Sequence, residues 1–115
     1  TAGDDIIVAL GGDDTVRGLG GDDTICAGGG ADVVSGGPGD DRIYGNAGAD
    51  DLRGNAGRDV IRGGRGKDLI RGGRGHDELH GNRGNDTIYG GWGADVAWGG
   101  PGTDRCRALV TYGCE

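Results

Sequence analysis

The chain has no phenylalanine, no methionine and a single serine, and aromatic residues make up 4% of its 115 positions. Without those large apolar side chains it cannot fill an ordinary globular interior. With Ser35 alone, and no base placed beside it in sequence, a serine-type nucleophile is not expected. No apolar run exceeds five residues, so neither a membrane-spanning helix nor a signal-peptide core is present. Phosphate-cradling and dinucleotide motifs are missing. His76 and His80 flank Glu78 without a zinc spacing, and both read as surface residues. Nothing here forms a catalytic constellation, and the chain is expected not to be an enzyme.

Glycine and charge are what it does have: 31 glycines and a net charge of −7. A glycine-rich chain loses much backbone freedom on folding and regains little from burial. Such a composition usually signals disorder. Either the chain stays unfolded or something besides its own side chains completes it.

Regularity argues against disorder. Glycine recurs every nine residues, at Gly3, Gly12, Gly21, Gly30, Gly39, Gly48, Gly57, Gly66, Gly75, Gly84, Gly93 and Gly102. Aspartate follows two places later, at Asp5, Asp14, Asp23, Asp32, Asp41, Asp50, Asp59, Asp68, Asp77, Asp86, Asp95 and Asp104. Two places further on comes an aliphatic or small residue, from Ile7 and Val16 through Ile61 and Ile70 to Ala97 and Cys106. Twelve copies of G-G-x-G-x-D-x-U-x therefore run without a gap.

Each copy is six turn residues followed by three that alternate out, in, out, the period of a strand. Three-residue strands are too short to stand alone and must stack, with neighbours about 4.8 Å apart. Two strands and two turns make an 18-residue rung, so twelve copies make six rungs. The expected fold is all-β, a parallel solenoid whose aliphatic positions meet between two sheets. The second turn position is Gly or Asn from the fourth copy onward, which suits a positive φ. Leu10 and Leu19 depart from this, and the glycine after each, Gly11 or Gly20, is expected to take the strained angle.

Stacking puts Asp50, Asp68, Asp86 and Asp104 in one column and Asp59, Asp77 and Asp95 in the column opposite. Like charges one rung apart repel, and burial disfavours the ionised form. A cation between successive carboxylates reverses that interaction, and unencumbered glycine carbonyls supply further oxygens. All-oxygen ligation at six or more positions suits Ca²⁺ better than Mg²⁺, and zinc would want nitrogen or sulfur. An aspartate capping its own turn explains one such residue but does not require the same residue in every copy.

The repeat resembles the RTX, or hemolysin-type, calcium-binding nonapeptide over residues 1–107. The resemblance implies a right-handed parallel β-roll with each ion between turns two copies apart. The lower turn would give the carbonyls of its second and fourth residues and its aspartate. The upper turn would give those of its first and third residues and its aspartate. One site would then comprise Gly64, Gly66 and Asp68 below, with Gly81, Arg83 and Asp86 above. The first would pair Thr1, Gly3 and Asp5 with Gly18, Gly20 and Asp23. Up to ten calcium ions are implied, with Asp68 touching two and Asp104 only one. Arginine at Arg65, Arg74 and Arg83 is tolerated because only main-chain oxygen ligates there.

Residues 53–83 hold eight Lys and Arg against four Asp and Glu, whereas residues 1–52 hold two against eleven. Arg53 and Arg71 should share one face, and Arg62 and His80 the other. This band is either a solvated surface offsetting the acidic columns or a contact for an anionic polysaccharide, lipid headgroup or protein. Nucleic acid is not expected, since no aromatic interleaving or motif accompanies the charge. Flat ranks of threonine, as an ice-binding face would need, are also missing: Thr15 and Thr87 stand far apart. Tyr89, Trp92, Trp98 and Tyr112 gather near the end, and are expected to cover the last rung rather than form a sugar platform.

Repetition stops after Arg107, leaving residues 108–115 as a capping segment. An open roll needs its terminal edge blocked, and "ALVTY" is expected to add a strand. A Cys106–Cys114 disulfide is expected to pin it. Cys26 lies about 20 Å from Cys106 at the rung spacing, beyond disulfide reach. It is free, intermolecular, or matched to an upstream cysteine. Beginning in mid-repeat at Thr1, the chain is expected to follow a leader or upstream domain. Disulfides and millimolar calcium both point to an extracellular setting, and hence to a secreted module that folds when it meets calcium.

Overall fold

A computed structural model describes residues 1–114. Among these residues thirteen strands and no helix form two parallel sheets, so no described helix is long and apolar enough to cross a membrane. The strands are β1 (Ile6–Val8), β2 (Thr15–Arg17), β3 (Thr24–Gly29), β4 (Val33–Pro38), β5 (Arg42–Ala47), β6 (Asp51–Ala56) and β7 (Val60–Arg65). They continue as β8 (Leu69–Arg74), β9 (Glu78–Arg83), β10 (Thr87–Trp92), β11 (Val96–Trp98), β12 (Arg105–Arg107) and β13 (Val110–Tyr112). Odd-numbered strands make a seven-stranded sheet and even-numbered ones a six-stranded sheet.

Register follows the period. Ile43 pairs with Ile61 and Leu52 with Ile70, each 18 residues apart, so the chain is a β-solenoid of about six turns. The central residue of each strand points inward. Ile25, Val34, Ile43, Leu52, Ile61, Ile70, Leu79, Ile88 and Ala97 are all fully buried. Their thin double row fits a body only 13 Å across its shortest extent, about the spacing of two face-packed sheets.

Two expectations about local geometry need correction. The strands of the middle rungs run six residues, not three. The second and third turn residues also pair with the rung above, as Asn46 with Gly64 and Ala47 with Arg65. The other concerns the leucines. Leu19 itself takes the left-handed angle, φ 86°, while Gly20 does not relieve it and Leu10 avoids it. The rung above fixes that backbone, since Gly18 donates to the Ser35 carbonyl and Gly21 to that of Pro38.

The end of the chain forms as expected. β13 joins the seven-stranded sheet beside β11, and a disulfide links Cys106 to Cys114 with Cα atoms 5.6 Å apart. Glu115, the last residue of the expected cap, lies outside the described residues. Cys26 is free and half-buried on the outer face of β3.

Candidate metal centres

Turn geometry begins with glycine. The fourth turn residue has positive φ in every copy from Gly12 onward, reaching 144° at Gly102. A Cβ on Gly66 would collide with the Gly48 carbonyl one rung below, and one on Gly64 with the Asn46 carbonyl. The lower turn therefore aims the carbonyls of its second and fourth residues up into the next turn. Sequence reading assigned positive φ only to the second position. The invariance of the fourth was the signal for this additional demand.

The upper turn aims oxygens downward. The Arg83 carbonyl accepts a bond from Gly66 N–H at 2.9 Å, and the Arg65 carbonyl one from Gly48 N–H at 2.8 Å. A Cβ built on Gly45 would lie 2.5 Å from Asp50 Oδ2 and 2.5 Å from the Gly63 carbonyl. The first-residue carbonyl of the upper turn and the carboxylate of the lower thus stand within twice that distance of each other. One ion with oxygen contacts of 2.3–2.6 Å can touch both.

The carboxylates form the continuous columns that stacking requires. Asp23, Asp32, Asp41, Asp50, Asp59, Asp68, Asp77, Asp86, Asp95 and Asp104 are 0–2% exposed. Each turns Oδ1 to the N–H of the aspartate one rung below, for instance Asp50 N–H to Asp68 Oδ1 at 3.0 Å and Asp86 N–H to Asp104 Oδ1 at 2.8 Å. An aspartate cap therefore does exist, but across rungs rather than within a turn. It satisfies one oxygen only. Oδ2 of Asp23, Asp32, Asp41, Asp50, Asp59, Asp68, Asp77, Asp86 and Asp104 is buried without a partner. A buried polar atom left unpaired is costly, a charged one more so.

The electrostatics agree. Burial, reinforced by the aspartates a rung above and below, pushes Asp59 up to about 7. Asp68 rises to about 6 for the same reasons, and Asp77 to about 6 through burial and Asp95 on the rung above. Asp41, Asp50 and Asp86 are also raised, chiefly by burial. Each shift is partly offset by the backbone N–H on Oδ1. At the first turn Asp5 is instead lowered by the Thr1 ammonium that it accepts.

These residues fit a hard divalent cation: anionic oxygens without partners, faced by main-chain carbonyls. Among the described residues no three acidic, histidine or cysteine side chains converge, so carbonyls must supply most of any ligand set. A second ladder that sequence reading missed runs outside the first. Asp4, Asp22 and Asp40 accept the N–H of Asp22, Asp40 and Arg58, and Asn85 accepts that of Thr103. His76 Nδ1 accepts the N–H of Ala94 in the same way. Its signal was the paired "DD" of the early copies.

The remaining candidates lie on the outer faces. Arg53 and Arg71 both reach Asp51, at 2.8 and 3.4 Å, and Arg62 lies over the Tyr44 ring. Part of the basic band is therefore used within the sheets. The aromatic residues do not form one cover over the last rung. Trp98 stacks between His80 and Tyr112 along the seven-stranded sheet, whereas Tyr89 and Trp92 stand exposed on β10 in the other.

A family model for the RTX calcium-binding nonapeptide repeat matches four segments, residues 1–34, 27–60, 44–79 and 71–106. No curated protein and no solved structure gives a significant match.

Proposed function

The chain belongs to the RTX calcium-binding nonapeptide repeat family, and on that premise we propose that it is a module of a secreted protein whose folding is driven by calcium outside the cell. The observation that carries this reading is the row of buried aspartate Oδ2 atoms without partners. Without a cation these columns oppose folding; with one they hold successive rungs together. Interior ligand sets would follow the pattern Gly64, Gly66 and Asp68 below, with Gly81, Arg83 and Asp86 above, giving up to ten ions between the twelve repeat turns. Calcium supplies the positive charge between turns; it does no covalent chemistry.

Each part of the chain then has a role. The aspartates carry the charge, the fourth-position glycines let carbonyls approach the next turn, and the aliphatic column closes the interior. Residues 1–107 act as one folding unit and residues 108–115 as its cap. At cytosolic calcium the unit would stay open and export-competent. The disulfide suits the oxidising setting outside the cell.

Circular dichroism tests this. In EGTA the β spectrum should be lost, and added calcium should restore it with a midpoint on the order of 10⁻⁴ to 10⁻³ M, as for extracellular modules. A spectrum indifferent to chelation overturns the calcium reading. A submicromolar midpoint overturns the extracellular one.

A further inference from the structure

The geometry points to one calcium site beyond those between repeat turns: we propose that the cap itself, held by the Cys106–Cys114 disulfide, completes a site over Asp104. This rests on the calcium reading of the columns. Repetition predicts no turn above residues 99–104, so Asp104 should bind only downward, toward Asp86.

The cap changes that. After β12 the chain spends only Ala108 and Leu109 before entering β13, where six turn residues would otherwise stand. β13 nevertheless takes full register on β11, with Val96 opposite Val110 and Trp98 opposite Tyr112. Gly113 therefore follows Tyr112 as Gly99 follows Trp98. Gly99 N–H donates to the Tyr112 carbonyl at 2.9 Å, as Gly18 N–H does to the Ser35 carbonyl lower in the roll.

The oxygens repeat as well. Lower in this column, a Cβ built on Gly81 would meet Asp86 Oδ2 and, at 2.7 Å, the Gly99 carbonyl. A Cβ on Gly99 would meet Asp104 Oδ2 and the Gly113 carbonyl in the same places. Gly113 thus supplies the carbonyl that the first residue of a thirteenth repeat would have given. Asp104 is fully buried, and its Oδ2 has no partner. The fully buried, unpartnered carboxylate and the carbonyl facing it are independent features of one gap.

The opposite column serves as a comparison. The three atoms nearest a Cβ on Gly90 all belong to Asp95, and Asp95 Oδ2 is not among the buried carboxylate oxygens without a partner. Cys114 directly follows Gly113, so the disulfide fixes the peptide that bears the upper ligand.

Bound calcium is to be counted per full-length chain by equilibrium dialysis at saturation. Asp104→Asn should lose two ions and Asp95→Asn one. The Cys106→Ser, Cys114→Ser double variant, with every aspartate intact, should lose one. Equal losses from the two aspartate variants, or a full count without the disulfide, would overturn the proposal. Where a variant does not fold in calcium, anomalous scattering from wild-type crystals grown in calcium decides: a peak between Asp104 and Gly113 supports the site, and none there rejects it. A wild-type chain that binds no calcium anywhere defeats the calcium reading, and this inference with it.

Discussion

Single residues show how narrowly the turn is specified. Gly66 has φ 137°, and its missing Cβ leaves room for the Gly48 carbonyl. Gly66→Ala should lower the stability of the calcium-loaded chain by about 2 kcal/mol, read as a fall in Tm. Arg65→Ala, next door on an exposed side chain, should leave Tm nearly unchanged. Leu19 marks the opposite case, a side chain in a conformation that costs about 1–2 kcal/mol outside glycine and asparagine. Asn46, Asn55 and Asn82 hold the equivalent position elsewhere. Leu19→Asn should therefore raise Tm, by about 1 kcal/mol of stability. The demand for glycine at the fourth turn position was present in the sequence as invariance. Its cause, a carbonyl arriving from 18 residues away, was not, because sequence spacing does not state which way a carbonyl points.

At the scale of the repeat, each interior aspartate faces two turns. Asp68 accepts the Asp50 N–H at Oδ1, and its unpartnered Oδ2 and the Gly81 carbonyl of the turn of Asp86 both border the space beside Gly63. Asp68→Ala should accordingly remove two calcium ions from the saturated count, where Asp95→Ala removes one. Equal losses would contradict ions shared between turns two copies apart. The strands were legible as alternation around an aliphatic centre, but their length was not. Extension of β3 to β10 into the turn residues arises only when a neighbouring rung offers carbonyls and N–H groups to pair with.

Taken whole, the molecule places its charge inside and its arginines outside. Without calcium, burial in the folded roll pushes Asp59 up to about 7 and Asp68 and Asp77 up to about 6, above the usual carboxylate value of about 3.9. A raised folded-state value means the roll binds protons more tightly than the unfolded chain. Its contribution to stability is therefore complete below about 3.9 and lost as pH rises toward 7. Acidifying calcium-free protein from pH 7.5 to 5 should increase β structure by circular dichroism. With calcium saturating, the same change should lower Tm, since protons then compete with the ion. A calcium-free chain that loses structure on acidification would contradict the buried columns.

The nine-residue period by itself determined the solenoid, its 18-residue rung, the two aspartate columns and the inward aliphatic row. Each is a consequence of where identical residues must fall when short strands stack. The cap also announced itself, through the end of repetition, a strand-forming "ALVTY" and two cysteines eight residues apart. Only the tertiary structure decided which carboxylate oxygen is left without a partner, which leucine carries the strained angle, and that Gly113 stands in for a missing turn above Asp104. Those outcomes depend on how neighbouring rungs meet across long stretches of sequence, where backbone direction is set by hydrogen bonds to the rung above and below rather than by the residue's own identity.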